Sequence, residues 1–136
     1  MNILMPKIKF NAEFEINASP KMIYPFLSTP VGLKEWFADD VNMNEDRSFG
    51  FMWDGVKNNA MKTAQKTNQM IKFEFMPING DTSKDTAYLE MKLEDNELTQ
   101  TSFLKVVDYS EAQDLKELQE LWNNLIDNLR AALGAK

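Results

Sequence analysis

The chain has 136 residues, enough for one domain with a sizeable core, and is 43% hydrophobic and 26% charged. With 15 Lys and Arg against 21 Asp and Glu, its net charge of −6 argues against a general binder of phosphate backbones or anionic membranes. Cysteine and histidine are both absent, which removes disulfides, thiolate and imidazole metal ligands, thiol nucleophiles and Ser–His–Asp chemistry.

The first ten residues, MNILMPKIKF, are interrupted by Pro6 and Lys7 and do not read as a signal peptide. No run approaches the ~18 apolar residues of a membrane span. The expectation is a cytoplasmic protein with no membrane insertion, no nucleic-acid partner, and no metal or cofactor.

Residues 8–16 alternate, with Ile8, Phe10, Ala12, Phe14 and Ile16 on one face and charged or amide residues on the other, which predicts a half-buried antiparallel strand. Ser19 at an N-cap and Pro20 at the first helical position start a short helix carrying Met22, Ile23, Phe26 and Leu27, ended by Ser28-Thr29-Pro30. A second short helix, VGLKEWF, brings Leu33, Trp36 and Phe37 together. From Asp39 to Tyr109 strands follow one another. Val41 and Met43 form a short strand; Phe49, Phe51 and Trp53 alternate into the hairpin pair Asp54-Gly55; Val56 to Lys66 is polar; Ile71, Phe73 and Phe75 share a face. A polar loop opens at Asn79-Gly80-Asp81 and runs to Asp85. Ala87, Leu89, Met91 and Leu93 alternate, and Leu98 to Tyr109 forms a long last strand with a break in phase near Phe103-Leu104 that could be a bulge.

Ser110 to Gly134 carries apolar residues at helical spacing: Leu115, Leu118, Trp122, Leu125, Leu129 and Leu133, widened by Leu121, Ile126 and Ala132. Ser110 with Gln113 reads as a capping box and Gly134 as a left-handed stop. Strand, two short helices, about six strands and a long helix make an α+β domain spanning 1–136, the last helix packed across an antiparallel meander.

With these elements in place, the chain resembles the START-like, or SRPBCC, superfamily with the helix-grip fold of the birch pollen allergen, and more narrowly the group related to activators of the heat-shock chaperone ATPase. The likeness rests on Ala18-Ser19-Pro20, on Phe26-Leu27-Ser28-Thr29-Pro30, on Leu33-Lys34-Glu35-Trp36-Phe37, and on Trp122, Ile126 and Leu129. Lys105 to Tyr109 stands where that group carries a small-residue and histidine segment. The resemblance implies a curved seven-stranded antiparallel sheet gripping the long helix, two short helices closing one end, and a cavity between sheet and helix. Members bind lipids, sterols, polyketides or other apolar molecules, and some catalyse cyclisation.

On that plan Phe10, Phe14, Phe49, Phe51, Trp53, Phe73, Phe75, Leu89 and Met91 face Leu118, Trp122, Leu125 and Leu129 of the helix. As a cavity lining they suit a small apolar guest; as a filled core they need none, and close packing is the rule for interiors. Trp36 and Phe37 close the mouth or cap the core. The nine methionines fill an irregular core or adapt a pocket. Glu74 and Glu90 with Lys72 and Lys92 read as charge partners on the solvent face rather than as a general base. Asp39-Asp40 and Glu45-Asp46-Arg47 read as solvated loops, not as a cation site. Any of Tyr24, Tyr88 and Tyr109 could offer a guest one polar contact. The leading reading is a non-catalytic binding module for a small hydrophobic molecule. The alternatives are a chaperone-activator-like protein-interaction domain, and a cyclase-type enzyme working without His or Cys. The oligomeric state, a homodimer included, stays open.

Overall fold

In a computed structural model of the protein, residues 6–77 and 85–134 are described. The predicted polar loop from Asn79 lies largely outside them. The elements are β1 (Lys7–Ile16), α1 (Pro20–Ser28), α2 (Pro30–Lys34), β2 (Asp40–Met43), β3 (Phe49–Trp53), β4 (Val56–Lys66), β5 (Met70–Phe75), β6 (Tyr88–Asn96), β7 (Thr101–Glu111) and α3 (Leu115–Leu133). The strands form one open seven-stranded sheet in the order β1-β7-β6-β5-β4-β3-β2, every pairing antiparallel. This is the α+β helix-grip arrangement, with two short helices between the first and second strands and a long helix at the end.

Local chemistry accounts for most boundaries. Ser19 Oγ accepts from the Met22 amide at 3.2 Å with Pro20 in the first turn, so α1 begins where the cap signal stands. Thr29 both closes α1 and opens α2: its hydroxyl donates to the Pro25 carbonyl at 2.8 Å and accepts from the Gly32 amide at 3.0 Å. α2 stops at Lys34, earlier than the VGLKEWF reading, and Trp36 and Phe37 follow in a turn whose amides still reach the Leu33 carbonyl. Asp54 (φ 50°) and Gly55 (φ 78°) both take positive φ, as the tight turn between β3 and β4 requires.

The predicted bulge in the last strand is absent. β7 keeps unbroken register with β1 from Ile16↔Ser102 to Lys7↔Glu111 and with β6 from Asn96↔Thr101 to Tyr88↔Tyr109. Ser102, Leu104, Val106, Asp108 and Ser110 share the inner face throughout; the apparent break came from an outward Phe103 and from polar residues at inner positions. The register shift lies in β4, between Lys62 and Ala64. β7 begins at Thr101, and Leu98, expected in it, sits in the preceding turn 97% exposed.

α3 also starts later than expected. Ser110 is held in β7 opposite Ile8, and the cap is Asp114, whose carboxylate accepts from the Glu117 amide at 2.9 Å while Glu117 accepts from the Gln113 amide at 2.7 Å. Gly134 closes the helix at φ 67°. Asp114→Ala is expected to cost about 1 kcal/mol of stability, and Ser110→Ala no capping energy; urea midpoints of the two variants check this.

Leu118, Trp122, Ile126 and Leu129 of α3 are buried against the sheet's inner face. The rest of the core comes from Phe10, Ile16, Val41, Phe49, Phe51, Ile71, Phe73, Leu89, Met91, Leu104 and Val106, closed at one end by Ile23, Leu27 and Leu33 of the short helices. Phe49 and Phe51 meet Phe73 edge-on at ring-centroid distances of 5.0 and 5.6 Å, so this part of the interior is filled. Of the strand methionines, Met91 is buried in this core, Met52 and Met70 are half-buried, and Met43 and Met61 are exposed; Met76, just past the end of β5, is half-buried. Arg130 ties α3 to β1 by donating to the Glu15 carbonyl at 2.6 Å.

Candidate functional site

The interior is not filled to its other end. Between α3, the segment 34–39, the β3–β4 hairpin, the end of β5, the start of β6 and the outer ends of β1 and β7 lies a solvent-connected cavity of about 1470 Å³. Its apolar wall is Trp36, Phe37, Trp53, Phe75 and Leu89, faced by Leu121, Trp122 and Leu125 of α3. Leu121, part of the predicted helix stripe, is 46% exposed because it borders this opening rather than the core.

All three tryptophans of the chain stand on this wall, each with its indole N–H already engaged by the protein. Trp36 Nε1 donates to the Phe26 carbonyl at 2.8 Å, Trp53 Nε1 to the Phe37 carbonyl at 2.9 Å, and Trp122 Nε1 to Asp108 Oδ2 at 2.7 Å. The hydrogen bonds fix the rings; half-buried Trp53 turns hydrocarbon surface to the cavity, while Trp36 and Trp122, 4% and 1% exposed, back its wall from behind. Phe37 sits at the centre of this group, with ring centroids 5.2 Å from Trp53, 5.3 Å from Trp36 and 6.1 Å from Trp122.

The predicted lining residues divide between the two halves of the interior. Trp36, Trp53, Phe75, Leu89, Trp122 and Leu125 border the cavity. Phe10, Phe49, Phe51, Phe73, Met91 and Leu118 lie in the closed core, and half-buried Phe14 packs against it. Periodicity reports which face of a strand is covered, not whether helix side chains or open space cover it.

The polar part of the cavity escaped the sequence reading. Asp108 faces inward on β7, with Phe10 on β1 and Leu89 on β6 as its register partners, so its carboxylate is set into an apolar surface. Counting by two from Val106 along an unbroken strand would have found it. Ser110, Glu111, Lys7 and Asp85 continue this end. Lys7 Nζ lies 3.7 Å from Asp85 Oδ2, and the Tyr109 hydroxyl donates to Asp85 Oδ1 at 2.7 Å, a bond that raises the Tyr109 pKa above its usual value. At the opposite rim Asp39 Oδ2 accepts from the Asp54 amide at 3.0 Å. There Lys34 pairs with Asp40 at 3.3 Å, and its hydrogen bond and charge hold that carboxyl below the usual range. Asp46 is spent on its own turn, accepting from the Ser48 amide and hydroxyl at 2.9 and 2.6 Å. On the outer face Lys92 pairs with Glu90 at 3.3 Å, and Lys72 lies 4.7 Å from the Tyr88 ring centroid. Among the described residues no group of three or more His, Cys, Asp or Glu could hold a metal ion, and no helix is long and apolar enough to cross a membrane.

Comparison with solved structures returns the same architecture. The solution structure of an Aha1 dimer from Colwellia psychrerythraea is 22% identical, with a TM-score of 0.75, over 93% of this chain and 96% of that one. A Bacteroides fragilis protein solved in solution by NMR is 33% identical, with a TM-score of 0.59, over 94% and 92% of the two chains. The crystal structure of protein MLL2253 from Mesorhizobium loti is 15% identical, with a TM-score of 0.74, over 93% and 97%. No curated protein matches the chain. Residues 4–135 match the family model for the START-like superfamily domain, and with that match over nearly its whole length the chain belongs to the START-like superfamily.

Proposed function

We propose that the protein binds a small, largely apolar molecule between α3 and the inner face of the sheet, without transforming it. The observation that supports this reading is the cavity itself: about 1470 Å³ in contact with solvent, its apolar surface supplied by half-buried Trp53, Phe75 and Leu125 and by exposed Leu121, and backed by two further indoles, all three indole N–H groups being already satisfied. A space of this kind holds water poorly and gains by exchanging it for hydrocarbon. Ligand binding is also the general business of START-like domains. Among the described residues the apolar wall itself carries no nucleophile or titratable group, and no feature there favours a cyclase-type activity.

The placement of the tryptophans supplies the test. The neutral dye N-phenyl-1-naphthylamine absorbs where tryptophan emits, so a dye in the cavity quenches all three residues by energy transfer. Saturable binding at one site per chain is expected. Leu121→Glu, at a position already half open to solvent, is expected to weaken it about tenfold, because the new carboxylate must be desolvated when the site is occupied. Failure of the dye to bind saturably, or unchanged affinity in the variant, overturns the reading.

The likeness to the Aha1 dimer supports a second reading, a self-associating or chaperone-activating module in the cytoplasm. Native mass spectrometry of the protein from its own host reports subunit number and any retained guest together, and a monomer carrying a guest favours the first reading.

A further inference from the structure

Resting on the cavity reading above, we propose that the site selects amphiphiles with a protonated amine head over those with a carboxylate head, and that Asp108 is the residue that reads the head group. Six carboxylates border the cavity, on Glu35, Asp39, Asp54, Asp85, Asp108 and Glu111, against two lysines. Both lysines are already engaged, Lys7 by Asp85 and Lys34 by Asp40. A head group entering the cavity therefore meets a negative field, and an anionic one meets it in a partly desolvated space where repulsion is poorly screened.

Asp108 is distinguished from the other five by where it stands. They lie on turns, strand ends and the segment beside α2, whereas Asp108 rises from the inner face of β7 between the register positions of Phe10 and Leu89. The Trp122 indole holds Oδ2 at 2.7 Å, and no donor among the described residues meets Oδ1. A carboxylate in an apolar wall is costly unless a charge or donor completes its shell, and an ammonium group supplies both.

Competition against the bound dye, with decylamine, decanol and decanoate at neutral pH and below their micelle concentrations, tests the inference. Decylamine is expected to displace the dye at about one tenth the concentration of decanoate, with decanol between them and the gap shrinking as salt is added. Asp108→Asn keeps an oxygen acceptor for the Trp122 indole and is expected to bring the amine to the level of the alcohol. The unfolding midpoint of the variant shows that the wall has survived. Decanoate competing as well as decylamine, or an amine preference that Asp108→Asn leaves intact, overturns the head-group assignment while dye binding still upholds the cavity. A dye that does not bind removes the cavity reading and this inference with it.

Discussion

Trp122→Ala is expected to lower the unfolding free energy by about 3–5 kcal/mol, the range for truncating a large buried ring. The indole is almost wholly buried, packs against Trp36 and Phe37, and joins the closed core to the cavity wall. Its loss also leaves the Asp108 carboxylate without a donor at an inner-face position, which adds the cost of an unsatisfied charged acceptor. Trp122→Phe separates the two contributions: it keeps most of the ring packing, removes the N–H, and is expected to cost about 1.5–3 kcal/mol. Urea unfolding measures both, with the midpoint falling and the slope unchanged if the two states keep their compactness. A loss below about 1 kcal/mol for the alanine variant would contradict the packing described for α3.

Gly32→Ala is expected to be nearly as damaging although it adds a single methyl group. A Cβ at this position would stand 2.2 Å from the Pro25 carbonyl oxygen, 2.6 Å from Phe26 Cα and 2.8 Å from the Pro25 carbonyl carbon. Every one of these is backbone, so no rotamer change relieves the overlap and the α1–α2 elbow must open. A loss of about 3 kcal/mol is expected, at the upper end for overpacking. The effect should reach the cavity, since Phe26 also carries the carbonyl that holds the Trp36 indole. Weaker dye binding should therefore accompany the lower midpoint. Val31→Ala, one residue away and 77% exposed, is the control and should change stability by less than about 0.5 kcal/mol.

The elbow shows what could be read in advance. Ser19-Pro20 announces a helix start, because cap and proline act through neighbours in sequence, and it holds; Thr29-Pro30, read as the end of α1, does end it and also opens α2. The Asp54-Gly55 turn was legible for the same reason. Gly32 carries no such signal; its need for a missing side chain arises from α1 folding back over it. At α3 the local signal of Ser110 with Gln113 misled, because the long-range pairing of Ser110 with Ile8 holds that residue in β7 and leaves Asp114 with Glu117 to cap the helix. The candidate site was legible in its apolar wall and illegible in its division, since the same alternation places Phe51 in a packed core and Phe75 at an opening. Asp108 was hidden by the habit of reading a polar residue on a strand as outward, when unbroken pairing on both sides of β7 turns it inward.

Among the described residues the order of the sheet leaves β1 and β2 without a neighbour on one side, and such margins are templates for unwanted strand addition. β2 offers only four residues to an intruder. β1 is ten residues long, but Lys9, Glu13 and Glu15 punctuate it with charge, and the guanidinium of Arg130 already occupies one of its carbonyls. The molecule thus meets its surroundings with one border too short and the other too charged to recruit a foreign chain, so a sheet left unclosed to admit a guest need not become a seed for fibrils.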